Sequence, residues 1–195
     1  IGVDRLERES SRTESFAVTR HAVAIEHSTR SKGRRRAGGL LCVVDHASNR
    51  VPEDIELGIE PHLLDEHIAV DIGVEGIAER LARRHGIPAH IATVSRLVCD
   101  LHRREDEPAV VPAESDGTLI PGNIGANVEA RLERFHRPYH AALGELFAAA
   151  QPRLILSLHS FTPQLATSSE KRPWEVALLY NRDDRAARHA IRLFG

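Results

Sequence analysis

Methionine is missing from all 195 residues, so the chain does not begin at its own initiator. It also stops at Leu193-Phe194-Gly195, inside a stretch patterned like a helix. A piece of a longer protein is therefore expected. Cysteine is nearly missing as well: Cys42 and Cys99 are the two present, each within an apolar run. That excludes a disulfide-rich secreted scaffold and predicts two reduced, buried thiols in a cytoplasmic protein. Long hydrophobic runs are also lacking. None approaches the ~20 residues that a membrane helix needs. The opening Ile1-Gly2-Val3-Asp4-Arg5 has no secretory pattern. Nor is there an excess of either charge: the formal net charge is -2, which gives no global basic field for nucleic acid. What remains, 42% hydrophobic and 28% charged residues, is the composition of an ordinary globular domain.

Two regions differ in character. Residues 1–38 are rich in charge, Ser and Thr, and include the basic run Arg30, Lys32, Arg34, Arg35 and Arg36. A flexible, solvated tail is expected there, with a nucleic-acid or membrane-surface role as the weaker reading. Residues 39–195 read as one domain. Leu40-Leu41-Cys42-Val43-Val44 and Leu154-Ile155-Leu156-Ser157-Leu158 are short continuous apolar runs, as in strands buried on both faces. Residues 91–94 and 97–101 read as strands, or as one strand broken at Ser95-Arg96, and residues 175–180 as a further strand. Helices are expected at 62–70 and 71–85, the second carrying an apolar stripe of Ile72, Val74, Ile77, Ala78 and Leu81 and ending at Gly86. A third is expected over 127–150, kinked or split at Pro138, and a fourth begins near Asp183. Residues 104–126, with Pro108, Pro112, Gly117, Pro121, Gly122 and Gly125, read as a long functional loop. Alternating strands and helices predict an α/β fold: a mostly parallel or mixed central sheet with helices on both faces.

In such a sheet, ligands bind beyond the carboxyl ends of the strands. Three polar clusters stand there: Asp45-His46-Ala47-Ser48-Asn49, Asp100-Leu101-His102-Arg103, and His159-Ser160-Phe161-Thr162-Pro163. Histidines from separate strand ends plus an oxygen donor make a three-ligand metal set with a position left for water. His46 and His159 are the candidates. Zinc lowers the pKa of such a water towards 7, enough for attack on an amide carbonyl. Arg103 offers a two-pronged grip for a substrate carboxylate. Of the other histidines, His21, His27, His62, His67, His85, His90, His136, His140 and His189 are read as surface or capping residues.

Seven segments also resemble N-formylglutamate amidohydrolases. They are Asp45-His46-Ala47-Ser48-Asn49-Arg50-Val51-Pro52, His67-Ile68-Ala69-Val70-Asp71-Ile72-Gly73, Ser95-Arg96-Leu97-Val98-Cys99-Asp100, Gly117-Thr118-Leu119-Ile120-Pro121-Gly122-Asn123, Arg137-Pro138-Tyr139-His140, His159-Ser160-Phe161-Thr162-Pro163, and Arg172-Pro173-Trp174-Glu175 with Leu179-Tyr180-Asn181-Arg182-Asp183. The resemblance covers about residue 39 to the end. It implies a fold similar to zinc-dependent exopeptidases and hydrolysis of N-formyl-L-glutamate, or a related N-acyl amino acid, as in histidine breakdown. It further implies a zinc ion, or another divalent metal, held by His46 and His159. The superfamily's Glu ligand falls on Asn49, a weak neutral donor, so the third ligand is Asn49 bound loosely, Asp45 in its place, or a water. Arg103, Arg96, Asp100, Ser160 and Asn123 are implied around the substrate. A general base is expected beyond residue 195, so the chain as it stands is expected to be weak or inactive. The alternative is a binding or regulatory module that kept the fold and lost the chemistry.

Overall fold

Leu40–Val44 is apolar along its whole length because both of its faces are covered. The computed structural model describes residues 29–32, 39–180 and 182–194. Its main sheet has four strands: β1 (Thr29–Lys32), β2 (Leu40–Val44), β3 (Ala89–Ala92) and β6 (Leu154–Ser157), in the order β1-β3-β2-β6. β2 runs parallel to both neighbours, β3 and β6, while β1 pairs antiparallel with β3 at one edge. The sheet is therefore mixed. A separate two-stranded hairpin is formed by β4 (Glu114–Ser115) and β5 (Thr118–Leu119).

Side chains alternate across a strand, and β2 shows the consequence. Cys42 and Val44 pack with Val74 and Ala78 of α1 (Val74–His85). Leu41 and Val43 pack on the other face with Phe135, Tyr139 and Leu146. The latter come from a helical run made of α2 (Val128–Arg131), a π-helical turn (Leu132–His136) and α3 (Arg137–Ala150). Helices thus cover both faces of the sheet at β2, whereas β6, expected to be buried on both faces, leaves Leu154 and Ile155 exposed. A last helix, α4 (Arg185–Phe194), follows Asp183, whose carboxylate accepts the Arg185 backbone N–H at 3.1 Å.

Several expectations move. α1 starts at Val74 rather than residue 71, because Gly73 is left-handed (φ 83°) and Asp71 is turned towards other partners. Ile72 and Ile77 are exposed, so the buried face of α1 is Val74, Ala78 and Ala82. Gly86 does cap the helix, at φ 64°. Residues 62–70 supply only a 3-10 turn, Pro61–Asp65. Residues 97–101 are not a strand. The Ser95 hydroxyl donates to Ala69 O and accepts from Leu97 N, and the backbone turns back on Ser95 O. Leu97, Val98 and Cys99 are nonetheless fully buried, which is why their run looks strand-like. Residues 175–180 form no regular element, and Val176, Leu179 and Tyr180 are exposed. The long loop contains the Asp116-Gly117 hairpin turn, with φ 43° and 79° at its two central residues. Within the stretch expected to be a tail, Thr29–Lys32 is an edge strand. Arg30 pairs with Glu75 and Glu79 of α1. Residues 1–28 and 33–38, with Arg34, Arg35 and Arg36, lie outside the described residues.

Candidate metal centre

The parallel register of β2 and β6 builds the site first. Val43 lies opposite Ser157, so Asp45 and His159, two residues further on, leave the sheet side by side. His46 follows at once and is 3% exposed. Its carbonyl accepts the Asp71 backbone N–H at 2.9 Å, which draws the segment before α1 over the strand end. The turn after β3 brings Arg96, Asp100 and His102.

Three aspartates and three histidines interlock here. His46 Nε2 is 2.7 Å from Asp100 Oδ1, His159 Nδ1 is 2.8 Å from Asp71 Oδ2, and His102 Nδ1 is 2.9 Å from Asp45 Oδ2. Tyr139 donates its hydroxyl to the other oxygen of Asp45. Arg96 reaches Asp100 at 3.1 Å and Asp71 at 3.5 Å. The rings of His46, His102 and His159 lie 4.8 to 5.9 Å apart. Ser160 contributes its backbone N–H to Asp71 at 3.3 Å.

The charges follow from these contacts. Burial by itself would raise all three carboxyls. The hydrogen bond from His159 and the nearby His46 ring outweigh it at Asp71, which lies well below the ordinary carboxylate range. His46 does the same at Asp100, bringing it to about 2. His102 and Tyr139 lower Asp45. Conversely, burial opposes a charged His46, but Asp100 and Asp71 raise it, and the Asp45 hydrogen bond raises His102. Burial, then the Asp45 charge, keeps Tyr139 protonated. Burial also pushes the Cys42 thiol to about 11 and Cys99 to about 12, so neither is a ready thiolate.

Two groups of these side chains bring ligand atoms within 4.8 Å of one another: His46, Asp71 and His159, and Asp45, His102 and His159. The first fits a divalent cation on a separate observation. His46 Nδ1 is buried without a hydrogen-bond partner, 3.7 Å from Asp71 Oδ2. Two ligands of one tetrahedral zinc sit about 3.4 Å apart. Two imidazoles and a carboxylate are also a zinc-type donor set that leaves one position open.

Of the residues singled out in the sequence, Asp45, His46, His159, Asp100, Arg96 and Ser160 come together. Arg103 stands at the rim, half-exposed, with Nε 4.0 Å from Asp100 Oδ2 and NH1 3.4 Å from Glu107. Asn49 is elsewhere: it is exposed and donates to Asp65 at 2.8 Å. Asn123 is buried and ties loops together, donating to Leu97 O and Pro112 O. Sequence reasoning missed Asp71, His102 and Tyr139 as site residues, although all three stand in the segments it marked. His90 and His136, expected to be surface or capping residues, are buried. His90 lies within β3 with its ring 4.5 Å from that of Tyr139.

A sequence profile of the N-formylglutamate amidohydrolase family matches residues 38–195. The chain belongs to the N-formylglutamate amidohydrolase family. No curated protein matches it. Similar solved structures include the following two. One is the gene product Atu2144 of Agrobacterium tumefaciens, 28% identical with a TM-score of 0.79, covering 87% of this chain and 69% of that one. The other is an N-formylglutamate amidohydrolase from Ralstonia eutropha JMP134, 23% identical with a TM-score of 0.53, covering 69% of this chain and 57% of that one. At that identity the second likeness speaks for the α/β fold alone. Among the described residues, no helix is long and apolar enough to cross a membrane.

Proposed function

We propose that this member of the N-formylglutamate amidohydrolase family hydrolyses the amide bond of N-formyl-L-glutamate, or of a related N-acyl amino acid, at a metal centre held by His46, Asp71 and His159. The observation that carries the reading is the buried, unpartnered Nδ1 of His46 facing Asp71 beside His159. Zinc is the metal best suited to that donor set, and when bound it supplies a Lewis acid and an acidified water. Asp71 then takes the oxygen-ligand position that the resemblance put on Asn49 or Asp45.

The chain's own residues divide the remaining work. Asp100 holds His46 through Nε2, which leaves Nδ1 as the ligand atom. Arg96 balances the charge of Asp71 and Asp100. Each aspartate of the cluster already accepts bonds from a histidine, Tyr139 or Arg96, so none is free as a base. His102, oriented by Asp45 through Nδ1, is the group we assign to proton transfer, in place of the general base expected beyond residue 195, so that this chain should itself turn over. Arg103 at the rim is the grip for the substrate carboxylate.

The test is metal analysis of the purified chain together with formate release from N-formyl-L-glutamate. One zinc per chain is expected, weakened at least about 100-fold by His46→Ala or His159→Ala, because a three-ligand site loses a direct bond. Formate release should disappear with the metal. Zinc binding that survives both substitutions, or a zinc-loaded chain inert towards every N-acyl amino acid tried, overturns the proposal. The second of these outcomes favours a binding module.

A further inference from the structure

The segment that carries His102 is gripped from behind by one helix face. His136 Nε2 lies 2.8 Å from Arg103 O, and His140 Nε2 lies 3.0 Å from Leu101 O. Those two carbonyls flank His102 in the chain. His136 and His140 are four residues apart, one helical turn, so their rings fall on the same side, tilted at 43° with centroids 4.3 Å apart. Tyr139 belongs to the same face at i+3, and its hydroxyl goes to Asp45, the residue that orients the His102 ring. Three neighbouring side chains thus fix both the backbone and the ring partner of His102.

The π-helical turn at Leu132–His136 immediately precedes this face. An extra residue in one turn rotates everything after it, and such turns concentrate at functional sites. It also accommodates Pro138, which lacks an N–H and stands in the first turn of α3. Buried Phe135 and Tyr139 anchor the same run in the core.

We propose that His136 and His140 are positioning residues that set His102 for proton transfer by donating to the carbonyls on either side of it. This rests on the role given to His102 above. A carbonyl only accepts, so both rings must carry their proton on Nε2. Neither ring touches the proposed metal ligands in the described contacts; they act through residues 101–103.

Two measurements separate this idea from the reading it rests on. In imidazole nitrogen NMR of the whole chain, His136 and His140 should both show the Nε2–H tautomer, and His140→Phe should shift the His102 ring signals. That result does not depend on any activity. In the zinc-loaded chain, His140→Phe and His136→Phe should each lower kcat for N-formyl-L-glutamate about 10- to 100-fold with KM and zinc stoichiometry little changed. His140→Gln and His136→Gln, which keep a donor at similar reach, should recover most of it. An Nδ1–H tautomer at either ring, His102 signals unmoved by His140→Phe, or Gln variants as poor as the Phe variants would overturn the proposal. A wild-type chain with no hydrolysis but the expected NMR pattern would overturn the proposed function instead and leave the clamp standing.

Discussion

At the residue scale the sharpest contrast is between Asp71 and Asn49. The resemblance directed attention to Asn49, yet its amide donates to Asp65 on the surface. Asp71 is 5% exposed and shares His46 and His159. Asp71→Asn keeps the shape but replaces an anionic ligand by a weak neutral one. Zinc affinity of that variant should fall at least about 100-fold by titration calorimetry, whereas Asn49→Ala should stay within about threefold of the parent. Equal losses in both variants would return the third ligand to Asn49. His46 and His159 were legible in the sequence because polar residues after apolar strands mark a sheet's binding edge. Asp71 was not, since it sat in what read as the first turn of a helix. Only the left-handed Gly73 two residues on explains why it faces the site instead. That geometry carries no signal in the periodicity of one sequence.

Among the elements, legibility followed burial and failed where burial and secondary structure part company. Leu40–Val44 was readable as a buried apolar run, whereas Leu154–Ser157, equally apolar, is a strand that stays largely exposed. Residues 97–99 are just as apolar and as buried, but they pack into two different clusters around a serine-anchored turn. Periodicity cannot tell these cases apart. The Asp116-Gly117 hairpin, by contrast, had a local signature that a reading focused on prolines and glycines as loop markers passed over. The same loop contains a close approach that fixes its own sequence. A Cβ on Gly122 would lie 1.8 Å from Glu56 O, while Gly122 N donates to Leu57 O at 2.8 Å. The obstacle is backbone, so relief requires separating two segments that bury Leu57 and Ile120. Gly122→Ala should cost about 1–3 kcal/mol in urea denaturation, the range for overpacking a filled site. A loss below about 0.5 kcal/mol would mean that these segments slide apart freely.

For the whole molecule, the interlocked aspartates and histidines make stability depend on pH in a way that metal should reverse. Asp45, Asp71 and Asp100 have folded pKa values below the ordinary one, Asp100 near 2. Their contribution is complete above the unfolded carboxylate value of about 4 and is lost as pH falls through the folded values. His46 and His102 have folded pKa values above the ordinary one. Their contribution is complete below about 6.5 and is lost as pH rises through the raised values. The metal-free centre should therefore contribute most between about pH 4 and 6.5 and less towards pH 8, against the opposite trend of His90 and His140, whose pKa values burial lowers. Zinc needs the imidazoles unprotonated, so its stabilisation should grow over that same upper range. At a free concentration 100 times its Kd, zinc adds about 2.7 kcal/mol, which can offset the loss. Melting scans with chelator and with zinc across pH 4 to 8 should give curves that diverge as pH rises. A metal-free Tm that climbs from pH 5 to 8 as steeply in the parent as in His102→Phe would show that His102 is not held protonated by Asp45. The ion-pair account of the centre would then fail, even if zinc binds there.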